Sequence, residues 1–540
     1  MEFDYIIVGA GSAGCVLANR LTACGRYRVL LLEAGGADRR LSLRVPIGYG
    51  RSFYDPSVNW MYKTEPDPGL GGREGYWPRG KVLGGSSAIN AMVFIRGQPA
   101  DFDAWAAEGN PGWGWADVLP VFKRLETNAA GADTWRGDSG PLHVADVAAD
   151  LHPLCNFYLR AGEELGLPNN PDFNGEHQEG VGLYQITTKA GLRVSAASAY
   201  LRPAMRRKNL CLITNAHVFR IVFEGTKSTG VEYRRGNRVE TARAGREVIV
   251  AAGAIGSPQL LQLSGVGPAE LLGSLGIEVL RELPVGLHLQ DHLCIDHLYR
   301  SRVPTLNQEL GPWRGRIRAA LAYLFGRRGP LSLSVNQGGG FVRTRPELDR
   351  ANVQLYFSPV SYTRTPPGRR PLMSPDPFAG FLLSAQPCRP TSRGYLRIRS
   401  RNPSQHPAIV PKSLSTEHDR QEMLEATRFL RKLSAAPALA GIIERELQPG
   451  SEIQSDAELL EDVRSRGGTV FHPVGTCRMG PDPHRNVVDR RLRVHGIGHL
   501  RVIDASIFPS ITSGNTNAPV LMVAEKGAEL VLSDAQGPPT

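Results

Sequence analysis

Cysteine is scarce in this chain, and the cysteines that occur are not paired in sequence. Seven cysteines are scattered over 540 residues, and no two of them have C-x-x-C spacing. An odd, dispersed set is typical of a protein without structural disulfides in a reducing compartment. The start of the chain lacks a basic segment followed by an apolar stretch, and no apolar run reaches about 18 residues. These absences predict a cytoplasmic protein without a membrane-spanning helix.

The positive charge of the chain is not concentrated in a nucleic-acid module. The formal net charge is +11, but lysine and arginine are spread along the sequence without an aromatic-interleaved basic cluster. We therefore expect no nucleic-acid partner. Hydrophobic residues make up 41% and charged residues 21%, which is ordinary for a globular protein. The length favours two domains, which could be interleaved along the chain.

The N-terminal segment has the pattern of a nucleotide-binding unit. An apolar strand ending at Val8 runs into Gly9, Gly11 and Gly14 in G-x-G-x-x-G spacing, and a helix should follow. Such glycines permit a tight turn, close approach of backbone to a pyrophosphate, and close packing of the helix on the strand. A second apolar strand ends in Glu33, where an acid accepts hydrogen bonds from an adenosine ribose. An acid at this place disfavours NADP.

Two further glycine-rich blocks distinguish between FAD and NAD. Residues 79–97 and 251–268 both contain the small residues that let backbone lie against a flat ligand. One short nucleotide does not require three such surfaces. An extended FAD, reaching from the first strand and helix across a domain, does.

The blocks "RGKVLGGSSAIN", "GAIGSPQLLQLSGVGP", "VGLHLQDHL", "HPVGTCRMG" and "LRVIDASIFPSITSGNTNAPVLMVAEK" occur in this order along the chain. Together they resemble the glucose-methanol-choline (GMC) oxidoreductases, and most closely the choline-dehydrogenase-like bacterial alcohol dehydrogenases. The resemblance implies an α/β (overall α+β) fold, with a Rossmann-like FAD domain and an inserted substrate domain on an antiparallel sheet. It assigns residues 1–154, 205–295 and 462–540 to the FAD domain, and 155–204 and 296–461 to the substrate domain.

The same resemblance implies the chemistry of the C-terminal blocks. An alcohol carbon delivers hydride to flavin N5 more readily once its hydroxyl loses a proton, so a base is needed beside the ring. His472 is the candidate, because an imidazole accepts a proton near neutral pH and Pro473 confines it to extended backbone. Asn515 is the candidate partner that donates a hydrogen bond to the substrate oxygen. Asn517 could cap the following helix, and Pro519 suits its first turn.

The resemblance also implies the residues that contact FAD. They are Gly9, Gly11, Ser12, Ala13, Gly14, Glu33, Ala34, Val82, Gly85, Ser86, Asn90, Ala91, Val93, Val218, Ala252, Gly253, Asp504, Ala505, Asn515 and Thr516. Some family members attach the flavin covalently to a histidine, but Ile89 stands at that position here. We therefore expect the FAD to be non-covalent.

Two further patterns bear on ligands. Choline-specific members have a glutamate before the "GGF" turn, whereas this chain has Gln337, which argues against choline because an amide supplies no counter-charge. His292, Cys294 and Asp296 would share one face of a strand and could suggest a metal site. Because the family has a structural turn here, we expect no metal.

The predicted reaction is the FAD-dependent oxidation of a primary aliphatic or aromatic alcohol, with a quinone or another electron acceptor. An oxygen-using alcohol oxidase, or a non-oxidising flavin lyase or photodecarboxylase, is the alternative. The "GVGLYQ" and "VQLYFSPVSY" segments could line the substrate pocket or form sheet core. Residues 311–330 place apolar side chains near helical spacing among five arginines, as either a lid or a peripheral contact with the inner membrane face.

Overall fold

The computed structural model of the protein describes residues 2–362 and 374–536 and is built on two seven-stranded sheets. In the first, here called the parallel sheet, five strands pair in parallel. One of these five, Arg238–Val250, also pairs antiparallel with the next strand and so connects them to an antiparallel meander. Its strands are Glu2–Val8, Val29–Leu32, Leu210–Ile213, Ala216–Glu224, Lys227–Arg235, Arg238–Val250 and Leu500–Val502. Segments far apart in sequence therefore form one sheet, as the resemblance implied.

The glycine-rich turn after the first strand has the geometry that its sequence predicts. Gly9 has a φ of +101°, which side-chain-bearing residues rarely adopt. A Cβ on Gly14 would lie 1.8 Å from the Gly9 carbonyl oxygen, so only glycine lets the helix Ser12–Thr22 approach the strand this closely. That helix packs against the C-terminal helix Asn517–Gln536. The first and the last of the described helices therefore meet beside the turn.

The second sheet, here called the antiparallel sheet, carries a separate hydrophobic core. Its strands are Gly180–Leu183, Leu293–Ser301, Gly338–Val342, Val353–Ser358, Gly380–Pro387, Ile443–Gln448 and Gly468–Thr469. Leu355, Phe357 and Leu383 of its central strands are buried against the helices Leu154–Glu164 and Glu417–Ser434. The sheet is entirely antiparallel, so one face can hold this core while the other faces a ligand.

Shorter elements connect the two sheets. Further strands are Tyr62–Lys63, Tyr76–Trp77, Glu126–Asn128, Leu142–Val144, Thr188–Lys189, Leu192–Arg193, Val266–Gly267, Arg281–Glu282, Leu287–Leu289, Gly394–Arg397 and Ala408–Val410. The remaining α-helices are Leu41–Arg44, Tyr49–Ser52, Pro99–Ala107, Trp115–Leu125, Arg202–Ala204, Gly253–Leu263, Ala269–Ser274, Leu306–Leu310, Trp313–Gly326, Pro437–Ala440 and Asp456–Arg466. Within the described residues, no helix has both the length and the apolar character needed to cross a bilayer.

This architecture confirms the predicted fold class, a Rossmann-like unit combined with a second unit on an antiparallel sheet. The strand Leu293–Ser301 crosses the predicted boundary between residues 295 and 296. The strand Gly468–Thr469 pairs with the antiparallel sheet, although it lies in a segment assigned to the FAD domain. The domain limits themselves stay a prediction.

Candidate active site

A cavity of about 1040 Å³ lies between the two sheets. Val8, Leu32 and Ala251, at the carboxyl ends of parallel strands, contribute to one side of its wall. Tyr356 and Leu382 of the antiparallel sheet contribute to the other. Ligands of open α/β sheets bind at the carboxyl ends of the strands, so the cavity is where a dinucleotide is expected.

Most of the residues predicted to contact FAD lie in this wall. They are Gly9, Gly11, Ser12, Ala13, Glu33, Ala34, Gly85, Ser86, Asn90, Ala91, Val93, Val218, Ala252, Gly253, Asp504, Ala505, Asn515 and Thr516. Gly14 is outside the wall and acts in packing. Val82 is also outside, because it forms a bridge to Gly36 and packs beside Ala88 in a small apolar cluster. A contact of Val82 with FAD therefore stays a prediction.

Glu33 is held by the glycine-rich turn and the strand end beside it. Its Oε2 accepts a hydrogen bond from the Ala10 N–H at 2.9 Å, and its Oε1 accepts one from the Gly35 N–H at 2.8 Å. Burial raises the pKa of this carboxyl to about 7, against the effect of these two hydrogen bonds. Each oxygen keeps a second lone pair that could accept a hydrogen bond from a ribose hydroxyl.

The cavity also fits the diphosphate and the flat ring of FAD. Three helices begin at its wall, at Ser12, Gly253 and Asn517, and helix N-termini attract negative charge. A Cβ on Gly11 would meet no atom within 4 Å, so the wall is open there. A Cβ on Gly85 would lie 2.7 Å from the Gly11 Cα, so these two backbones approach each other as closely as glycine allows.

His472 lies on a short non-helical segment paired with the chain before the antiparallel strand Leu293–Ser301. Val470 N–H donates to the His292 carbonyl, and Gln290 and Val474 exchange backbone hydrogen bonds. The Asp291 carboxylate accepts the His472 N–H at 2.7 Å, which holds the turn. The pairing explains why His472 and His292, 180 residues apart in sequence, are neighbours.

The hydrogen bonds of this histidine pair determine where their protons are. His292 Nε2 lies 2.9 Å from the Cys388 carbonyl oxygen, which can only accept, so Nε2 carries a hydrogen. In neutral His292, Nδ1 is then an acceptor. The Nδ1 of His472 lies 3.0 Å from it and must be the donor. The other ring nitrogen of His472, Nε2, therefore carries a lone pair, which is the form that a base requires.

A second series of hydrogen bonds orients Asn515. The Tyr184 hydroxyl donates to the Leu355 carbonyl at 2.6 Å and accepts from Gln354 Nε2 at 3.0 Å. Gln354 Nε2 also donates to Asn515 Oδ1 at 3.2 Å, so the Asn515 Nδ2 must face the other way. This Nδ2 lies 3.3 Å from His472 Nε2. The hydrogen bonds of the histidine pair and those of Gln354 and Asn515 thus meet at one point. There the Asn515 Nδ2 faces the lone pair of His472 Nε2.

Burial keeps both histidines neutral. It lowers the pKa of His472 well below 6.5, and the nearby His292 and Arg79 lower it further. Burial likewise lowers the pKa of His292 to about 4. The Arg79 guanidinium donates to the Phe471 carbonyl at 2.6 Å, directly before His472. A neutral His472 with a lone pair on Nε2 can accept a proton from a hydroxyl.

Two expectations about nearby residues are wrong. Gln337 does not line the cavity, because its Oε1 accepts the His152 N–H at 2.8 Å beside the helix Leu154–Glu164. Its amide therefore gives no argument against choline. Asn517 is the first residue of its helix, and its Oδ1 accepts from Ser12 Oγ at 2.8 Å, so it joins two helix ends instead of capping one.

The residues His292, Cys294 and Asp296, whose spacing suggested a metal site, lie beside the cavity, and His292 forms a hydrogen bond with His472. His292, Cys294 and Asp296 all border the cavity, as strand alternation predicts. Both nitrogens of His292 are engaged, with His472 and with the Cys388 carbonyl. Across residues 2–362 and 374–536, no group of three or more His, Cys, Asp or Glu side chains is placed to hold a metal ion.

The parallel sheet, the glycine-rich turn and the cavity bordered by His472 and Asn515 define a dinucleotide-dependent oxidoreductase. Residues 3–294 and 390–524 match the GMC oxidoreductase family, and the chain belongs to that family. It is 44% identical to alcohol dehydrogenase [acceptor] of Pseudomonas putida over 98% of this chain and 96% of the relative. It is 42% identical to human mitochondrial choline dehydrogenase, covering 98% and 90% of the two chains. The crystal structure of pyridoxine 4-oxidase from Mesorbium loti is similar with a TM-score of 0.87 at 33% identity, covering 97% of this chain and 98% of that one.

Sequence reasoning missed His292 and Gln354 as parts of the site. The resemblance predicts a structural turn at His292, whereas its position on the same strand face as Cys294 and Asp296 indicates a place beside the ligand. Gln354 lies on the segment "VQLYFSPVSY", for which the sequence allows either a pocket wall or sheet core. In the structure, Tyr356 and Tyr362 of this segment border the cavity. Tyr184 of the segment "GVGLYQ" belongs to a buried cluster, and its hydroxyl accepts a hydrogen bond from Gln354.

The hydrogen bond between the two histidines should matter for the rate. In His292→Leu, we expect anaerobic flavin reduction by an alcohol to slow roughly tenfold, the effect of one lost hydrogen bond of about 1.4 kcal/mol. His292→Asn should recover most of the rate, because its Oδ1 can accept from His472 Nδ1. Stopped-flow absorbance of the FAD-loaded variants measures both. Equal rates in the two variants would contradict a role for the acceptor.

Proposed function

We propose that this protein binds FAD without a covalent bond and oxidises a primary alcohol to its aldehyde, with His472 as the base. The carrying observation is that the lone pair of His472 Nε2 faces the Nδ2 of Asn515 at the wall of a cavity that fits FAD. FAD, when bound, supplies the acceptor for the hydride of the alcohol carbon. The steps below concern the side chains of this chain.

The substrate hydroxyl would bind between His472 and Asn515. Its proton moves to His472 Nε2, while Nδ1–H keeps its hydrogen bond to His292. Asn515 Nδ2 donates a hydrogen bond to the oxygen as negative charge develops, and it has no basic site on that atom to compete for the proton. Gln354 keeps the amide in this orientation by donating to Asn515 Oδ1.

The wall near His472 favours an apolar alcohol. Phe471, the residue before the base, packs with Phe53, Met92 and Tyr362 in one apolar cluster. Phe53 and Phe471 meet edge to face with ring centroids 5.0 Å apart. All four side chains border the cavity. A benzylic or medium-chain aliphatic alcohol would replace water against these surfaces.

Choline is the second candidate, because the acidic side chain of Asp296 borders the same cavity. A carboxylate there could pair with a quaternary ammonium group, which Gln337 cannot reach. The two candidates differ in the charge that the substrate carries.

An anaerobic panel of neutral alcohols and choline, followed by flavin absorbance, tests the proposal. We expect neutral benzylic or medium-chain alcohols to exceed choline in kcat/KM by at least about tenfold, since moving a cation from water to the apolar cluster around Phe471 costs more than about 1.4 kcal/mol. Asp296→Asn should change the neutral substrates less than about threefold. A large loss of choline activity in that variant, with choline the better substrate, would identify the second candidate instead. No bleaching by any alcohol would contradict alcohol oxidation.

The attachment of the flavin has its own test. Ile89 borders the cavity and has no nucleophilic atom, so acid precipitation should release the FAD into the supernatant. The absorbance spectrum of the supernatant and of the resolubilised pellet measures the partition. Yellow colour retained on the pellet would show a covalent bond to another side chain.

For the electron acceptor we propose a quinone or another organic carrier in place of oxygen. A relative at 44% identity is named alcohol dehydrogenase [acceptor], which supports this choice. Mixing the alcohol-reduced enzyme with oxygen or with a quinone analogue separates the proposal from an alcohol oxidase. A lyase or photodecarboxylase would leave the flavin oxidised in the presence of alcohol.

A further inference from the structure

One helix carries an unusual amount of exposed apolar surface. In the helix Trp313–Gly326, the side chains of Trp313, Ile317, Leu321, Leu324 and Phe325 are between 49% and 82% exposed. We call these five residues the apolar ridge. Scattered exposed hydrophobic residues are normal on a protein surface, but a contiguous row on one helix marks a surface that meets another phase or partner.

The ridge lies opposite the side of the helix that packs on the protein. At roughly 100° per residue, Trp313, Ile317, Leu321 and Leu324 fall within about 80° of one another. The buried residues of the helix, Ala319 and Tyr323, fall on the other side. The Tyr323 hydroxyl donates to the Gly191 carbonyl at 2.8 Å and anchors that side. The ridge therefore faces away from the body of the protein.

The ridge is bordered by positive charge. Residues 311–330 contain five arginines and no acidic residue. Arg316 and Arg318 lie on opposite flanks of the ridge by the same 100° rule. Arg318 interacts electrostatically with Glu309, which lies just before the segment, so one acidic residue stands against the five arginines there. An apolar strip between arginines has the composition of a helix that lies in the surface of an anionic bilayer.

The ridge is connected to the wall of the cavity. Its helix packs against the turn Pro330–Ser332, which leads to Val335 and Asn336 in the wall. Leu310, just before the helix, packs in the apolar cluster that contains Phe53. A surface that docks through the ridge would therefore lie on the side of these wall segments.

We propose that the apolar ridge and its arginines dock this protein on the surface of an anionic lipid bilayer. A second copy of the chain fits the ridge less well, because a symmetric dimer brings a patch against its own copy and would place arginines opposite arginines. Anionic headgroups supply the opposite charge. Resting on the proposed function, the docked protein would reduce a lipid-soluble quinone.

Vesicle sedimentation with the purified FAD-loaded enzyme tests the docking. We expect binding to sucrose-loaded vesicles of phosphatidylcholine with phosphatidylglycerol to be at least tenfold tighter than binding to phosphatidylcholine alone. The variant Ile317→Ser/Leu321→Ser/Leu324→Ser/Phe325→Ser should bind at least tenfold more weakly. A matched control is Phe157→Ser/Met205→Ser/Val239→Ser/Val279→Ser, four exposed apolar residues elsewhere, which should bind as the wild type does.

The charge requirement is tested separately. Arg314→Gln/Arg316→Gln/Arg318→Gln should weaken binding to the anionic vesicles, whereas Arg234→Gln/Arg235→Gln/Arg238→Gln on a distant hairpin should not. Equal binding to both vesicle types, or unchanged binding of the ridge variant, would overturn the proposal. So would sedimentation velocity showing a wild-type dimer that the ridge variant converts to a monomer, because the ridge would then be an interface between copies.

The connection between bilayer docking and quinone reduction is tested by the rate of ubiquinone-10 reduction. The ridge variant should reduce ubiquinone-10 in anionic vesicles at least tenfold more slowly than the wild type, with equal rates toward a water-soluble short-chain quinone. Equal rates toward ubiquinone-10 would overturn the acceptor part. If no alcohol reduces the flavin in the wild type, the proposed function fails, while the sedimentation result still decides the docking.

Discussion

Replacing His472 by alanine should slow anaerobic reduction of the flavin by at least about 10²-fold, the low end for general-base catalysis. The imidazole is the group whose Nε2 lone pair borders the cavity, and Asn515 beside it offers an amide N–H, which cannot accept a proton. FAD content should stay near the wild-type value. Stopped-flow absorbance of the FAD-replete variant under saturating alcohol measures the rate.

The contrary result for His472 is equally clear. A structural histidine would give a protein that loses FAD or stability while the remaining bound flavin is reduced at a normal rate. The pH profile of the wild type provides a control, because the lowered pKa keeps His472 neutral above pH 6.5. A neutral imidazole is the competent base, so its protonation should not lower the rate between pH 8 and 6.5. Its acid limb should lie at lower pH.

The nucleotide half of the fold could be predicted because its signal is local. Gly9, Gly11 and Gly14 follow a buried strand directly; Gly9 has a φ of +101°, and a Cβ on Gly14 would lie 1.8 Å from the Gly9 carbonyl oxygen. Glu33 directly follows the next strand and accepts a hydrogen bond from the Ala10 N–H in the turn. Val82 lies within a matching motif, but its side chain packs in an apolar cluster with Ala88, so its contact with FAD stays a prediction.

The candidate base and its partner could also be predicted, because each lies in a motif with a restricted backbone. Their supporting residues could not. His292 and Gln354 come from strands whose neighbours are set by tertiary pairing, and a hydrogen bond between side chains leaves no periodic pattern in the sequence. The prediction that Gln337 faces the substrate was wrong for a related reason. Its place before the glycines was readable, but the direction of its side chain depends on the helix that packs behind it.

The hydrogen-bond series across the site has a physical consequence. It begins at one backbone carbonyl, that of Leu355, and ends at another, that of Cys388. Carbonyls only accept, so the Tyr184 hydroxyl and the His292 Nε2–H point outward to them, and His472 Nδ1–H points toward His292. This leaves the lone pair of His472 Nε2 facing the Asn515 Nδ2 at the centre. Buried polar groups are costly unless they are bonded, and a bonded series is correspondingly rigid. In the proposed reaction, the acceptor for the proton and the donor for the oxygen would therefore be in place before the substrate binds.

Replacing Asn515 by alanine should slow flavin reduction by roughly 10–10²-fold, if its hydrogen bond to a charged oxygen is worth about 1.5–3 kcal/mol. The loss should appear in the limiting rate at saturating alcohol, because the bond strengthens as the oxygen gains charge. Asn515→Asp keeps the size of the side chain but replaces the donor by an acceptor, so it should be at least as slow. Gln354→Leu should be affected less, because it releases the Asn515 amide without removing it. Stopped-flow reduction over a range of alcohol concentrations separates the limiting rate from the apparent dissociation constant. A normal limiting rate in Asn515→Ala, with only weaker alcohol binding, would show that this side chain holds the substrate without stabilising its developing charge.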